Sequence, residues 1–196
     1  MTLGYELIVI GASWGGLRAV SEILSALPGD LDAAVVVAQH RRVDTLDGGL
    51  AGILGTQTSL SVRDVDDKEP IEPGHVYLAP PDYHLLVDDR HFALSTDAPV
   101  HYARPSIDVL FESAADAYGN RAIGVILTGA NDDGATGLAR IKERGGVAVV
   151  QDPAHAERRE MPRAAIAATV ADAILPLEEI GPFLYGLVLD PRRVRS

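Results

Sequence analysis

A chain of 196 residues, 47% hydrophobic and 23% charged, is long enough to bury one sizeable core and reads as a single globular domain. Its formal net charge of -11 excludes nucleic acid, whose phosphates are bound by clustered Lys and Arg, and argues equally against an anionic membrane surface. With no cysteine there is neither a disulfide framework nor a thiolate metal site, and no segment resembles a signal peptide or approaches the ~20 apolar residues of a membrane span, so the expectation is a soluble, cytoplasmic protein.

The first apolar run, Glu6 to Ile10, predicts a strand buried on both faces. It is followed by Gly11-Ala12-Ser13-Trp14-Gly15-Gly16, and then by a helical pattern from Gly16 to Leu27 in which Leu17, Val20, Leu24 and Leu27 share a face. Pro28-Gly29 ends that helix, and Ala33 to Ala38 reads as the next buried strand, closed by Gln39-His40. The middle of the chain is punctuated differently. Leu60 to Val65, His75 to Ala79, Leu85 to Val87 and His91 to Leu94 are short runs separated by Asp, Pro and Gly, with Asp88-Asp89-Arg90 as a hairpin tip; together they predict an antiparallel insertion at the edge of the main sheet. Pro105-Ser106 signals a helix running to Tyr118, Ala122 to Leu127 a further strand, Leu138 and Ile141 a helix stopped by Gly145-Gly146, and Val147 to Val150 another strand. Strand and helix in alternation imply an α/β domain over residues 1–190 with a doubly wound, mostly parallel sheet, followed by a frayed basic tail, 191–196.

In such a sheet, ligands bind beyond the carboxyl ends of the strands, near the point where strand order reverses. The informative residues are therefore those that end each strand. The first strand ends in Ser13, the second in His40, and the strand from Ala122 in Thr128-Gly129-Ala130-Asn131-Asp132-Asp133-Gly134. If the second strand and the Ala122 strand flank the first, a hydroxyl, an imidazole and carboxylates meet at one crevice, as a serine-hydrolase triad requires. Each piece has a plainer reading: a phosphate-binding loop, a solvated histidine, an acidic helix start. The spacing Gly-x-x-x-Gly-Gly, however, matches neither a dinucleotide fingerprint nor a P-loop. Gly11-Ala12-Ser13-Trp14-Gly15 also fits the nucleophile elbow of the α/β-hydrolases, but too few residues precede Ser13 for the strands that precede the elbow in that fold. The other histidines, His75, His84, His91, His101 and His155, lack ligand spacing, so no metal or cofactor is expected. Arg158, Arg159 and Arg163 form a basic cluster suited to a substrate carboxylate or to a solvated face.

With these residues assembled, the chain resembles the catalytic domain of the chemotaxis protein-glutamate methylesterases, the CheB family. The resemblance runs through Val9-Ile10-Gly11-Ala12-Ser13 with Gly15-Gly16, Gln39-His40, and Pro73-Gly74-His75-Val76-Tyr77-Leu78-Ala79-Pro80. It continues through Arg104-Pro105-Ser106-Ile107-Asp108, Ile126-Leu127-Thr128-Gly129, Asp133-Gly134, Gln151-Asp152 and Met161-Pro162-Arg163-Ala164. It implies a Ser-His-Asp hydrolase in which Ser13 is the nucleophile, His40 the base and Asp133 the acid. The implied substrates are γ-glutamyl methyl esters on the cytoplasmic helices of methylated chemoreceptors, with deamidation of receptor glutamines as a second activity. Two departures fall beside the site: Trp14 replaces a small polar residue, and Ala130-Asn131-Asp132 replaces the usual Met-Gly-Asn. The first catalytic strand starts near residue 5, so control is expected from a separate receiver or signalling protein rather than from a receiver domain ahead of it. The alternatives are a non-catalytic binding module on the same scaffold and a small-molecule carboxylesterase.

Overall fold

The computed structural model describes residues 4–40 and 49–191. Seven strands form one sheet: β1 (Leu7–Ala12), β2 (Ala34–Gln39), β3 (Ser61–Asp64), β4 (His75–Leu78), β7 (Ala122–Ile126), β8 (Val147–Gln151) and β9 (Ala173–Leu175). They are all parallel, in the order β3-β4-β2-β1-β7-β8-β9. Strand order reverses around β1, and β2 and β7 lie on either side of it. The condition set by the sequence for a shared crevice is therefore met.

Alternation along β1 divides the core in two. Leu7 and Val9 face a layer containing α3 (Ile107–Tyr118), α4 (Ala135–Glu143) and α5 (Glu160–Ala168), through Leu110, Phe111, Leu138 and Ala165. Ile8 and Ile10 face the opposite layer, where α1 (Gly16–Ser25), α2 (Gly49–Gly55) and α6 (Leu177–Leu189) supply Val20, Leu24, Leu54, Ile180 and Leu184. A strand with apolar residues at every position is what burial on both faces demands, and β1 is fully buried along its length.

The middle of the chain departs from the sequence expectation. Only β5 (His84–Asp88) and β6 (His91–Ser95) form an antiparallel pair, with Asp88 opposite His91 and Asp89 in a left-handed conformation at the tip (φ 55°). The runs Leu60 to Val65 and His75 to Ala79 instead extend the main sheet in parallel, β4 pairing with β2 and β3 with β4. Alternation reports which residues are buried, not the direction of the partner strand. The connection over residues 65–74 is not a tight hairpin turn, and it leaves both strands pointing the same way. The β5–β6 hairpin lies over α3, where the Val87 N–H donates to Ser113 Oγ at 3.0 Å. Of the tail expected at 191–196, residues 192–196 lie outside the described residues.

Candidate active site

Ser13 stands one residue past β1 and His40 one residue past β2. Because Ala12 pairs with Gln39 in the parallel register, Ser13 and His40 are the next rung of the same ladder. The His40 N–H continues that ladder to the Ala12 carbonyl at 3.0 Å, and the Ser13 N–H reaches across to Thr128 O at 3.0 Å. Gln39 ties the rung together. Its Nε2 donates to Ser13 O at 2.7 Å and to His40 O at 3.2 Å, so one amide fixes the backbone of both residues.

Asp133 arrives from the loop after β7. The residue is 1% exposed, and its carboxylate is held at the start of α3, where backbone N–H groups would otherwise lack partners. Oδ1 accepts from Ser106 Oγ at 2.9 Å and from the Asp108 N–H at 2.9 Å; Oδ2 accepts from the Ile107 N–H at 2.8 Å and from His40 Nε2 at 2.7 Å. Burial works to raise the Asp133 pKa, yet the His40 ring and the two helix N–H groups outweigh it and hold the carboxyl below its ordinary value. It is therefore an anion at neutral pH, able to orient an imidazole through Nε2–H. That contact leaves Nδ1 as the ring nitrogen turned away from Asp133.

The neighbouring carboxylates do other things. Asp132 has a side chain 69% exposed and faces His101 Nδ1 at 3.5 Å, so the adjacent acid is Asp133 rather than Asp132. Asp108 accepts from the Gly137 N–H at 2.7 Å and faces His101 Nε2 at 3.4 Å. Its pKa is raised, chiefly by burial and further by the nearby Asp133 charge, while the Gly137 N–H pulls the other way. Of the other histidines, buried His84 accepts at Nδ1 from the Ser106 N–H at 3.2 Å, and exposed His155 lies beside Asp152 at 3.1 Å. Among the described residues there is no group of His, Asp and Glu that could hold a metal ion.

The loop after Thr128 is packed tightly against Ser13. A Cβ placed on Gly129 would run into Met161 Sδ and stand 3.0 Å from Ser13 Cβ, so this position accepts only glycine without local movement. The Gly129 N–H is already given to Arg158 O at 3.1 Å, whereas the Trp14 N–H has no hydrogen-bond partner among the described residues. Beside Ser13, a cavity of about 460 Å³ runs along α1 and α2, lined by Gly16, Leu17, Arg18, Gln39 and Ile53. On the other flank, Trp14 meets Glu157 and Arg158. Arg159 and Arg163 are exposed.

Residue reading assigned no role to Gln39, to the Ser106 to Asp108 cradle or to Glu157. The first two lie inside motifs of the resemblance, and the Pro105-Ser106 helix signal marks where N–H groups would be open. Nothing in the sequence singles out Glu157.

The CheB methylesterase family pattern matches residues 8–184. A chain of Leptospira interrogans serogroup Icterohaemorrhagiae serovar copenhageni (strain Fiocruz L1-130), provisionally named protein-glutamate methylesterase/protein-glutamine glutaminase, is 49% identical over 186 residues, covering 94% of this chain and 96% of that one. Protein-glutamate methylesterase/protein-glutamine glutaminase 2 of Anaeromyxobacter dehalogenans (strain 2CP-C) is 43% identical over 175 residues, covering 89% of this chain but 51% of that one. The crystal structure of the Thermotoga maritima CheB methylesterase catalytic domain superposes with a TM-score of 0.89 at 33% identity, covering 95% of this chain and 100% of that one. By family pattern, by relatives and by fold, the chain belongs to the CheB methylesterase family.

Proposed function

We propose that the chain is a protein-glutamate methylesterase and protein-glutamine glutaminase of a chemosensory pathway, with Ser13 as nucleophile, His40 as base and Asp133 as the acid that orients His40. Family membership supports the reaction class. The observation that carries the residue assignment is the 2.7 Å contact between His40 Nε2 and a fully cradled, ionised Asp133, one rung away from Ser13.

The chemistry is an acyl transfer in two stages. Ser13 Oγ attacks the γ-carbonyl of the glutamyl methyl ester as His40 Nδ1 takes the hydroxyl proton, and the imidazolium is stabilised by Asp133. Collapse of the tetrahedral intermediate breaks the bond to the methoxy oxygen, which leaves as methanol with the proton from His40. Water then attacks the acyl-enzyme by the same route and releases the free glutamate side chain. With a glutamine side chain the leaving group is ammonia, and the balance is otherwise the same. The Trp14 N–H is the open donor nearest the nucleophile and is assigned to the developing oxyanion; such a donor contributes about 3 kcal/mol to barrier lowering in other serine hydrolases.

The substrates proposed are methylated helices of chemoreceptors, met in the cytoplasm, with regulation by a separate receiver or signalling protein. No helix among the described residues is long and apolar enough to cross a membrane. A serine-directed fluorophosphonate tests the assignment. It is expected to label the wild type on Ser13, located by peptide mass, and to leave Ser13→Ala unlabelled while methanol release from methylated receptor stops. Labelling elsewhere, or undiminished turnover by Ser13→Ala, removes Ser13 as the nucleophile, and no labelling together with no methanol release by the wild type removes the hydrolase reading.

A further inference from the structure

Trp14 is the single tryptophan of the chain and directly follows the nucleophile. It is 61% exposed. An indole left in water forgoes a large hydrophobic gain, and nothing in the turn requires an aromatic residue there. The ring is nevertheless fixed. Its Nε1–H donates to Glu157 Oε1 at 2.9 Å, the Arg158 guanidinium carbon stands 5.6 Å from the ring centroid, and the Trp14 carbonyl accepts from Thr128 Oγ1 at 2.9 Å. Thr128 in turn accepts from the Arg158 N–H at 2.8 Å, so the segment that carries Glu157 and Arg158 is anchored to the same strand tip as the catalytic loop.

The position of the ring relative to the site decides what it can touch. The cavity beside Ser13 runs along α1 toward α2 and Trp14 is not among its lining residues; the indole lies instead on the β7 side of Ser13, against the segment that joins β8 to α5. A small ester can reach Ser13 from the cavity alone. A polypeptide helix is about 10–12 Å across with its side chains, so one that presents an ester to Ser13 covers both flanks. An aromatic ring already locked in place offers such a partner apolar burial without ordering cost at the moment of binding.

We propose that Trp14 is a preformed anchor for the polypeptide that carries the glutamyl ester, held in its docking pose by Glu157 and Arg158, and that it sets the preference for protein over small esters. The inference rests on the hydrolase reading above and adds the residue that selects its substrate.

The test uses a helical peptide with one central γ-methyl glutamate, and p-nitrophenyl acetate as the small ester. Trp14→Ser should lower the ratio of kcat/KM for the peptide to that for the small ester by about tenfold or more, through KM, as loss of an interface hot spot does. Glu157→Ala, which frees the ring, should lower the same ratio by a smaller factor. Because Trp14 is the only tryptophan, its emission reports contact directly: titrating the methylated peptide into Ser13→Ala should shift the emission to the blue and protect it from acrylamide. An unchanged ratio, including an equal loss on both substrates, overturns the anchor, as does a higher peptide rate in Trp14→Ser. Peptide binding seen by anisotropy of a labelled peptide without a change in Trp14 emission overturns it too. A wild type that neither binds nor hydrolyses the peptide defeats the substrate reading and the anchor together, whereas turnover with an unchanged ratio defeats the anchor alone.

Discussion

Asp133 serves the fold and, on the proposed mechanism, the chemistry as well. It takes four hydrogen bonds, three from the start of α3 and one from His40, so the same carboxylate that orients the imidazole also satisfies the helix N-terminus. Asp133→Asn keeps the size of the group but replaces an anion with an amide whose NH₂ faces N–H donors. Methanol release is expected to fall by a factor on the order of 10⁴, as in other triads that lose this charge. Asp132→Asn, at an exposed carboxylate that faces His101, should change the rate by less than about twofold, since exposed substitutions away from a site have small effects. An equal loss in both variants would overturn the choice between the two acids. Ser13 and His40 are legible as candidates because each stands one residue past a buried strand, and strand ends in a doubly wound sheet converge; Asp133 lies farther out, in the loop after β7, and only the resemblance separates it from Asp132. Gln39 is not legible in the same way, because its role depends on an amide reaching two carbonyls across a rung, which no spacing rule reports.

At the scale of elements, the site is held by close approach rather than by long loops. The strand tips meet where Gly129 lets the β7 loop touch both Met161 and Ser13, and where Thr128 reaches Trp14 and Arg158. Gly129→Ala forces a Cβ into the thioether of Met161 and is expected to cost roughly 1–3 kcal/mol by overpacking, read from urea unfolding, together with a lower kcat as Ser13 is displaced. An unchanged midpoint and unchanged turnover would show that Met161 can move aside freely. The helices α1, α3 and α4 and the strands flanking them are readable from periodicity and from their Pro, Ser and Gly punctuation. Two kinds of element are not. β3 and β4 have the run length of hairpin strands but pair in parallel, a choice made by the sheet. α6 contains Gly181-Pro182, residues that argue against a helix, and forms because Ile180, Leu184 and Leu187 are buried in the core layer it shares with α1. Tertiary packing outweighs local propensity there.

Across the whole molecule, the buried acids at the site give stability an opposing pH dependence. The Asp133 pKa is lowered on folding, so its contribution is fully present above about pH 4, the ordinary carboxylate value, and is lost as pH falls through the lower folded value. Asp108 has the opposite sign. Its folded pKa is raised, so its contribution is complete below about pH 4 and is lost as pH climbs through the folded value. The urea midpoint of the wild type should therefore exceed that of Asp133→Asn at pH 6, and the gap should narrow as pH drops from about 4 toward 2. A gap that stays constant over that range would mean that Asp133 is not a folded-state anion.

The contact between α1 and α6 carries a consequence for the molecule as a whole. At Gly181 a Cβ would meet Ala26 Cβ at 2.7 Å and Ile23 O at 3.0 Å, so α6 rests directly on the last turn of the helix that begins just after Ser13. α6 thus braces the C-terminal end of α1, the helix whose opposite end begins just after Ser13. Loss of α6 would bare the α1 face of this core layer, and its effect at Ser13 would have to travel the ~15 Å length of α1.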